Sequence, residues 1–103
     1  MIDFTPLAEL ADLPDRSPVS VRATLRHMQL KQTIAGDLWA SPVIEESGTA
    51  VTCLVFSETF ATTPSEVWRE GAVLEVMGTI AVRVDMDLRL IPSAIRRSPE
   101  DQT

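Results

Sequence analysis

Four side chains in the first third of the chain are the best candidates for binding a ligand. Arg22, Arg26, His27 and Lys31 lie within residues 16–36, a stretch that contains no aspartate or glutamate. Arginine suits phosphate because its planar guanidinium can donate two hydrogen bonds to one phosphate group. The stretch predicts either a phosphate-binding edge or an ordinary solvated strand face, and the residues alone do not decide between the two.

Trp39 is the second candidate. Alternation along a strand places Trp39 and Ser41 on one side and Ala40 and Ile44 on the other, so the indole is predicted to face outward. An exposed indole ring can stack on a nucleic-acid base, which contributes about 1–3 kcal/mol. The alternatives are that Trp39 covers one end of a barrel, packs under an N-terminal helix or lies in a dimer contact.

Two further arginines, Arg83 and Arg89, flank a tight turn near the end of the chain. They can reach a ligand at the mouth of a barrel, and we include them in the candidate site. The preferred interpretation is local pairing with Asp85 and Asp87, because oppositely charged residues across a hairpin attract each other.

The residue types predict a binding domain and not an enzyme. The chain has one histidine, His27, and one cysteine, Cys53, with no other ligand at metal-binding spacing. It contains no nucleophile elbow and no glycine-rich phosphate loop. We therefore expect no catalytic residue, no metal and no cofactor, and we expect Cys53 to be buried core.

Charge weighs against a nucleic-acid partner at first sight, since the 103 residues carry a net charge of −6. The acids are unevenly distributed: residues 1–15 hold four and no lysine or arginine, whereas residues 16–97 hold nine basic and nine acidic residues. The acidic N-terminal segment and the acidic middle of the chain favour a protein partner.

No basic N-terminal signal and no apolar run of about 20 residues is visible, which predicts a cytoplasmic protein without a membrane span.

The pattern predicts a short N-terminal helix over Thr5–Leu13, with Thr5 as its cap, and five strands. Pro42 implies that the second strand is an edge or carries a bulge, and Gly78 marks a sharply coiled fourth strand. Phe56, Phe60 and Trp68 are predicted to fasten a linking helix to the sheet. The predicted strands are 19–28, 37–45, 49–56, 72–84 and 88–95, with a loop over 29–36, helical turns within 57–68 and a polar tail from Arg96.

Several segments together resemble the nucleic-acid-binding OB-fold family, which includes OB domains of bacterial replicative DNA polymerase alpha subunits, exonuclease VII large subunits and class II tRNA synthetases. They are Val51-Thr-Cys-Leu-Val-Phe-Ser-Glu58 with Phe60, Trp68-Arg-Glu-Gly71, Val73-Leu-Glu-Val-Met-Gly-Thr-Ile80 and Leu88-Arg-Leu-Ile91. The resemblance and the order of elements imply an all-β chain with small helical content. The expected architecture is a five-stranded Greek-key OB-fold barrel with short helices at the N-terminus and between strands 3 and 4. The expected organisation is an N-terminal helix and linker over 1–18, the barrel over 19–97 and a tail over 98–103.

The resemblance implies that a ligand lies across strands two and three, between the loop after strand one and the loop before strand five. The expected function is weak or accessory binding of single-stranded DNA or RNA in a replication or repair assembly. The alternative is a protein-interaction module or oligomerising subunit, for instance a homodimer, without nucleic-acid contact. Two features depart from the family: an acidic loop with Asp85 and Asp87, and Glu45-Glu46 at the end of strand two. The candidate nucleic-acid-binding residues are Trp39, Arg22, Arg26, His27, Lys31, Ser41, Arg83 and Arg89.

Overall fold

A computed structural model describes residues 3–83 and 86–99, with residues 83 and 86 described by their backbone alone. The five strands are β1 (Pro18–Gln32), β2 (Leu38–Glu46), β3 (Thr49–Cys53), β4 (Val73–Arg83) and β5 (Met86–Arg97). A 3₁₀ helix, Leu7–Asp12, precedes β1. An α-helix, α1 (Ser57–Thr62), and a 3₁₀ turn, Ser65–Val67, connect β3 to β4.

The strands form a closed barrel in the order β1-β2-β3-β5-β4, and β4 pairs with β1 to close it. Every pairing is antiparallel except that of β3 with β5. This is the five-stranded Greek-key arrangement of an OB-fold barrel. It confirms the predicted all-β class with a helix between the third and fourth strands.

The core is built from the inward-facing residues of each strand. In β1 the first four of these alternate regularly, and Leu7 and Leu10 of the N-terminal 3₁₀ helix join the same core. The barrel is therefore closed by hydrogen bonds around its wall and by apolar side chains within it. The largest fully buried side chains include Leu10, Leu25, Ile44, Leu74, Ile80 and Leu90.

The N-terminal helix differs from its prediction. It is a 3₁₀ helix that starts after Pro6, and no side chain caps it, so the predicted cap at Thr5 is wrong. The Thr5 N–H instead donates to the Ser20 carbonyl at 2.7 Å, which ties the extended entry of the chain to β1. Thr5 thus contributes a main-chain hydrogen bond to β1 and not a side-chain cap to the helix.

Strand β1 is longer than predicted, because its ladder with β2 continues to the pair Gln32↔Leu38. The predicted loop over 29–36 is therefore strand in its first half. This end of the β1–β2 hairpin is solvent-exposed, so Leu30 is exposed on the side that would otherwise face the core. Because neither side of β1 is buried there, apolar and polar residues do not alternate in the sequence, and the strand is not recognisable from it.

A β-bulge in β1 changes which side chains point outward. Leu25 pairs with Ile44 and His27 pairs with Val43, which are neighbours in β2. Arg26 is therefore an extra residue of β1 that has no partner in the β1–β2 ladder. Before the bulge the even-numbered residues of β1 face outward. After it the odd-numbered residues do, and the sequence gives no local sign of the change.

Pro42 does not mark an edge, because β2 pairs with both β1 and β3. Ala40 exchanges two backbone hydrogen bonds with Val55, so by alternation the nitrogen of Pro42 also faces β3. The β2–β3 ladder is interrupted there, between Val43↔Thr52 and Ala40↔Val55. Proline has no N–H to donate, and the gap in the β2–β3 ladder means that none is needed at Pro42. The β-bulge is in β1, the other strand that pairs with β2.

The aromatic residues around α1 divide into two groups. Phe60 and Trp68 stack with ring centroids 5.9 Å apart and pack against the core, as predicted. Phe56 is 53% exposed, so the prediction that it fastens α1 to the barrel is wrong. Val51, Cys53 and Val55 point into the core, so Leu54 and Phe56, which alternate with them, face outward.

The last two strands are held close together at Gly78. A Cβ at this position would overlap the carbonyl oxygen of Ile91 and come within 2.7 Å of the Pro92 Cα. The register shift between Met77 and Gly78 lies at the same place, which agrees with the predicted sharp coil. Strand β5 then continues to Arg97 and Ser98 is buried, so the predicted tail from Arg96 is wrong in its first residues.

Candidate nucleic-acid interface

The outer surface of β1, β2 and β3 beyond the bulge forms one continuous face. His27 pairs with Val43 and Val43 with Thr52, while Gln29 pairs with Ser41 and Lys31 with Trp39. Residues directly opposite in a ladder point to the same side of the sheet. The β2–β3 register continues past the end of β3 to the bridge between Ala40 and Val55. It therefore brings Leu54 beside Ser41 and Phe56 beside Trp39. We call this surface the Trp39 face. Its residues are His27, Gln29, Lys31, Trp39, Ser41, Val43, Thr52, Leu54 and Phe56.

Trp39 and Phe56 line a hollow on this face. Thr33, Leu54 and Ser57 complete its wall, and its volume is about 230 Å³. Trp39 is half-buried, with its indole on the outer side of the barrel. Two aromatic rings, one aliphatic side chain and two residues with hydroxyl groups therefore surround a space that a single planar ring can enter.

Lys31 covers part of the indole. Its Nζ atom lies 5.2 Å from the centroid of the Trp39 ring, which is a cation–π contact. The contact follows from the ladder, because Lys31 is directly opposite Trp39.

Arg89 adjoins the same face from β5, where it pairs with Thr52. Its Nη1 atom donates to the backbone carbonyls of Asp87 and Leu88 at 3.3 and 3.2 Å. The contact with the turn is therefore made through main-chain oxygens. Asp85 and the side chain of Arg83 lie outside the described residues and atoms, so the predicted pairing of Arg83 remains a prediction.

Arg22 and Arg26 are not part of the Trp39 face. The Arg22 guanidinium lies 4.8 Å from the centroid of the Phe4 ring, and the Arg26 Nε atom lies 3.9 Å from a carboxylate oxygen of Glu45. Nine strand positions separate Arg22 from Lys31, which is at most roughly 30 Å at about 3.3 Å per residue. The single basic edge considered from the sequence is thus divided along β1.

An ion pair with a buried carboxylate lies next to Arg22. Glu75, which pairs with Arg22 in the β1–β4 ladder, is only 6% exposed. Its carboxylate accepts hydrogen bonds from Arg96 at 2.6 Å and from the Ser98 hydroxyl at 3.3 Å. We call Arg22, Arg26, Glu45, Glu75 and Arg96 the ion-paired face, since carboxylates and guanidinium groups alternate across it.

The electrostatic character of the two faces differs. The Trp39 face contains Lys31 and His27, with Arg89 at its border, and no carboxylate among its nine residues. Glu45 and Glu46, which depart from the family pattern, lie on the other side of the bulge from the Trp39 face, where Glu45 pairs with Thr24. Glu46 accepts a hydrogen bond from the Leu7 N–H at 2.8 Å, which engages it with the N-terminal segment.

Sequence reasoning missed Leu54 and Phe56 as members of the site. The signal was present, since Val51, Cys53 and Val55 are buried and the residues between them must face outward. The sequence analysis instead predicts that Phe56, at the end of the third strand, fastens the linking helix to the sheet. Its outward direction follows from the β2–β3 register.

No metal-binding cluster is found in the described part of the chain. Within residues 3–83 and 86–99, no three histidine, cysteine or acidic side chains are grouped closely enough to hold a metal ion. Burial raises the pKa of the Cys53 thiol from 9.0 to about 12, so this thiol stays protonated at neutral pH. In the same residues, no helix has the length and apolar character needed to cross a bilayer.

The comparisons with known proteins agree on the fold. The sequence matches no protein-family model and no curated protein sequence. Among solved structures, the chain is similar to the hypothetical protein ygiW from E. coli, with a TM-score of 0.71 and 10% identity over 93% of this chain and 90% of that one.

Two other similar structures come from proteins named for nucleic-acid binding or for assembly. The mitochondrial single-stranded DNA binding protein Rim1 from S. cerevisiae gives a TM-score of 0.62 and 20% identity, over 82% of this chain and 95% of Rim1. The S. pombe Stn1-Ten1 complex gives a TM-score of 0.65 and 12% identity, over 84% of this chain and 61% of the matched chain. These identities are low. The likeness is one of fold.

Proposed function

We propose that this chain is a binding domain for single-stranded DNA or RNA, and that it holds a short stretch of the strand on the Trp39 face. The observation that carries the proposal is the pair of outward rings, Trp39 and Phe56, beside Lys31 on a face without a carboxylate. Base stacking needs an accessible ring, and phosphate binding needs a cation within reach of the same strand. The Trp39 face offers both.

Stacking supplies most of the expected affinity. Each stacked base contributes about 1–3 kcal/mol, and Trp39 and Phe56 each present a ring on which a base can stack. Unpaired bases present their ring faces, whereas duplex bases are stacked on each other. The face therefore favours single strands over duplex.

Phosphate contacts contribute less to the expected affinity than stacking does. Lys31 and Arg89 are the two permanently charged side chains at the Trp39 face within the described atoms. Two phosphate contacts on a single strand predict a slope of log affinity against log salt of about −1.4. This small electrostatic term suits weak or accessory binding within a replication or repair assembly, in a cytoplasmic setting.

The proposed role is binding and not catalysis. Acid–base chemistry requires a positioned pair such as a histidine with a carboxylate, and His27 has no carboxylate beside it in its row, which consists of Val43 and Thr52. The buried, protonated Cys53 is unsuited to act as a nucleophile.

A fluorescence anisotropy titration of labelled oligo-dT tests the proposal. We expect binding at about 50 mM salt that weakens with the slope of about −1.4, and weaker binding of the duplex of the same length. No anisotropy change at roughly 100 μM protein, the weak end of typical non-specific binding, would contradict the proposal.

The second candidate is a protein-interaction module or a homodimer, and one observation favours it. At the outer end of the β1–β2 hairpin, Leu30, Ile34 and Leu38 are 55%, 109% and 44% exposed. Exposed apolar side chains close together are typical of protein contacts. Light scattering of the wild type and of a Leu30→Ser, Ile34→Ser variant distinguishes the candidates, because a homodimer through this end would dissociate in the variant.

A further inference from the structure

The contact between Lys31 and Trp39 has the geometry of a displaceable cover. We propose that Lys31 occupies the indole face in the unliganded protein, and that an entering base displaces it so that its ammonium binds that nucleotide's phosphate. This inference rests on the proposed function, because it describes how the Trp39 face receives a strand.

The geometry provides the first support. Lys31 lies directly opposite Trp39 in the β1–β2 ladder, and its Nζ atom is 5.2 Å from the ring centroid. Lys31 is exposed, and within residues 3–83 and 86–99 no carboxylate forms an ion pair with it. The indole is thus the partner that positions this ammonium in the unliganded state.

The magnitudes provide the second support. A cation–π contact at an exposed site contributes about 0.5–1 kcal/mol, whereas a stacked base contributes about 1–3 kcal/mol. The base therefore wins the competition for the indole. Lysine can follow the change because its ammonium is a compact charge at the end of a flexible stem.

The proposal predicts effects of opposite sign for two ligands. For a nucleoside, which has no phosphate, Lys31 only competes for the ring, and removing Lys31 strengthens binding. For an oligonucleotide, Lys31 also supplies a phosphate contact, and removing it weakens binding at low salt. A residue that merely supports the shape of the site would change both affinities in the same direction.

The experiment measures quenching of Trp39 fluorescence in a Trp68→Phe background, so that the second tryptophan of the chain, which is half-buried, does not contribute to the signal. We expect Lys31→Ala to bind adenosine about 2–5-fold more tightly than the parent, which is the cation–π contact converted at 1.4 kcal/mol per tenfold change. The same variant should bind oligo-dT more weakly at low salt, with a slope shallower by about 0.7.

The matched control is Arg26→Ala, which removes a cation from the same strand but away from the Trp39 face. It should change neither the adenosine affinity nor the oligo-dT slope. The inference is overturned if Lys31→Ala shifts both ligands in one direction, or if adenosine quenches Trp39 in neither protein. If adenosine follows the expectation but oligo-dT binds to no variant, the cover on the ring stands and the proposed function fails.

Discussion

The outer surface of the barrel carries two groups of cations whose surroundings differ. On the ion-paired face, Arg96 and Arg26 have carboxylate partners and Arg22 lies over the Phe4 ring. On the Trp39 face, Lys31 lies over a ring beside an open hollow, without a carboxylate in its row. Cations of the first group interact with other side chains of the protein, and we propose that the second group binds the ligand.

The difference shows that the position of a cation in the sequence does not reveal its role. Arg22, Arg26 and Lys31 belong to one stretch without acids, yet Glu45 and Glu75 reach the first part of that stretch through the sheet. The bulge at Arg26 separates the two parts. Four experiments test this distinction, in order of decreasing expected effect.

Removing the indole should have the largest effect on binding. Trp39→Ala loses a stacked base, which corresponds to about 1–3 kcal/mol, or roughly 5–150-fold weaker affinity for oligo-dT by anisotropy. Trp68→Phe is the matched control, because Trp68 packs against Phe60 and should leave affinity within about twofold. Unchanged affinity in Trp39→Ala would remove the basis for distinguishing the two faces.

Removing Arg96 should lower stability without changing binding. Arg96→Ala leaves the buried Glu75 carboxylate without its main partner, a loss of about 1–3 kcal/mol in the free energy of unfolding measured with urea. The value should lie near the lower end, because the Arg96 side chain is 54% exposed and water can replace part of the contact.

The double variant Arg96→Ala, Glu75→Gln serves as the control for this ion pair. It removes the buried charge as well and should recover part of the lost stability. A weakened oligo-dT affinity in Arg96→Ala, at a concentration of urea where the protein is fully folded, would show that the ion-paired face takes part in binding.

The pH dependence of stability tests the alternation in β3 that directs Leu54 and Phe56 outward and Cys53 inward. The pKa of the Cys53 thiol is about 12 in the folded protein, against 9.0 for an ordinary thiol, because burial disfavours the thiolate. The unfolded chain therefore binds fewer protons between these values, so the contribution of this thiol to stability is constant well below pH 9 and falls as the pH rises toward 12.

This fall should be about 1 kcal/mol at pH 10, measured as the difference in urea unfolding between pH 8 and pH 10. Cys53→Ala removes the titrating group and should show a smaller difference between the two pH values. Identical pH dependence in both proteins would place the thiol in contact with water and would contradict the inward direction of Cys53.

The smallest effects are expected from the arginines of the ion-paired face. Arg22→Ala and Arg26→Ala should leave the oligo-dT salt slope unchanged. Arg89→Ala, at the border of the Trp39 face, should make that slope shallower by about 0.7. The three variants remove the same charge, so they serve as controls for each other. Equal slopes in all three would mean that position relative to the bulge has no bearing on phosphate contact.

Much of the barrel was predictable because its signals are local. The strand predicted over 19–28 and the sharp coil predicted at Gly78 each depend on neighbouring residues. The outward direction of Trp39 was predictable for the same reason. The predicted strand ends were less accurate, since the last residues of β1 and β5 are paired without a clear apolar period.

The composition of the site was not predictable in the same way. The sequence groups Arg22 and Arg26 with Lys31, and it predicts that Phe56 fastens the linking helix to the sheet, because both inferences use nearness along the chain. The bulge at Arg26 leaves no local pattern, since it depends on hydrogen bonds to β2 that form only when the sheet assembles.

By itself, the sequence determined the class of fold, the buried sides of the strands and the presence of an outward indole, because a period of two and turn residues act over a few positions. Tertiary structure alone decided which cations have carboxylate partners and which lie beside the two rings. The physical reason is that ladder partners such as Arg22 and Glu75, or Lys31 and Trp39, are joined by strand register and not by nearness in the chain.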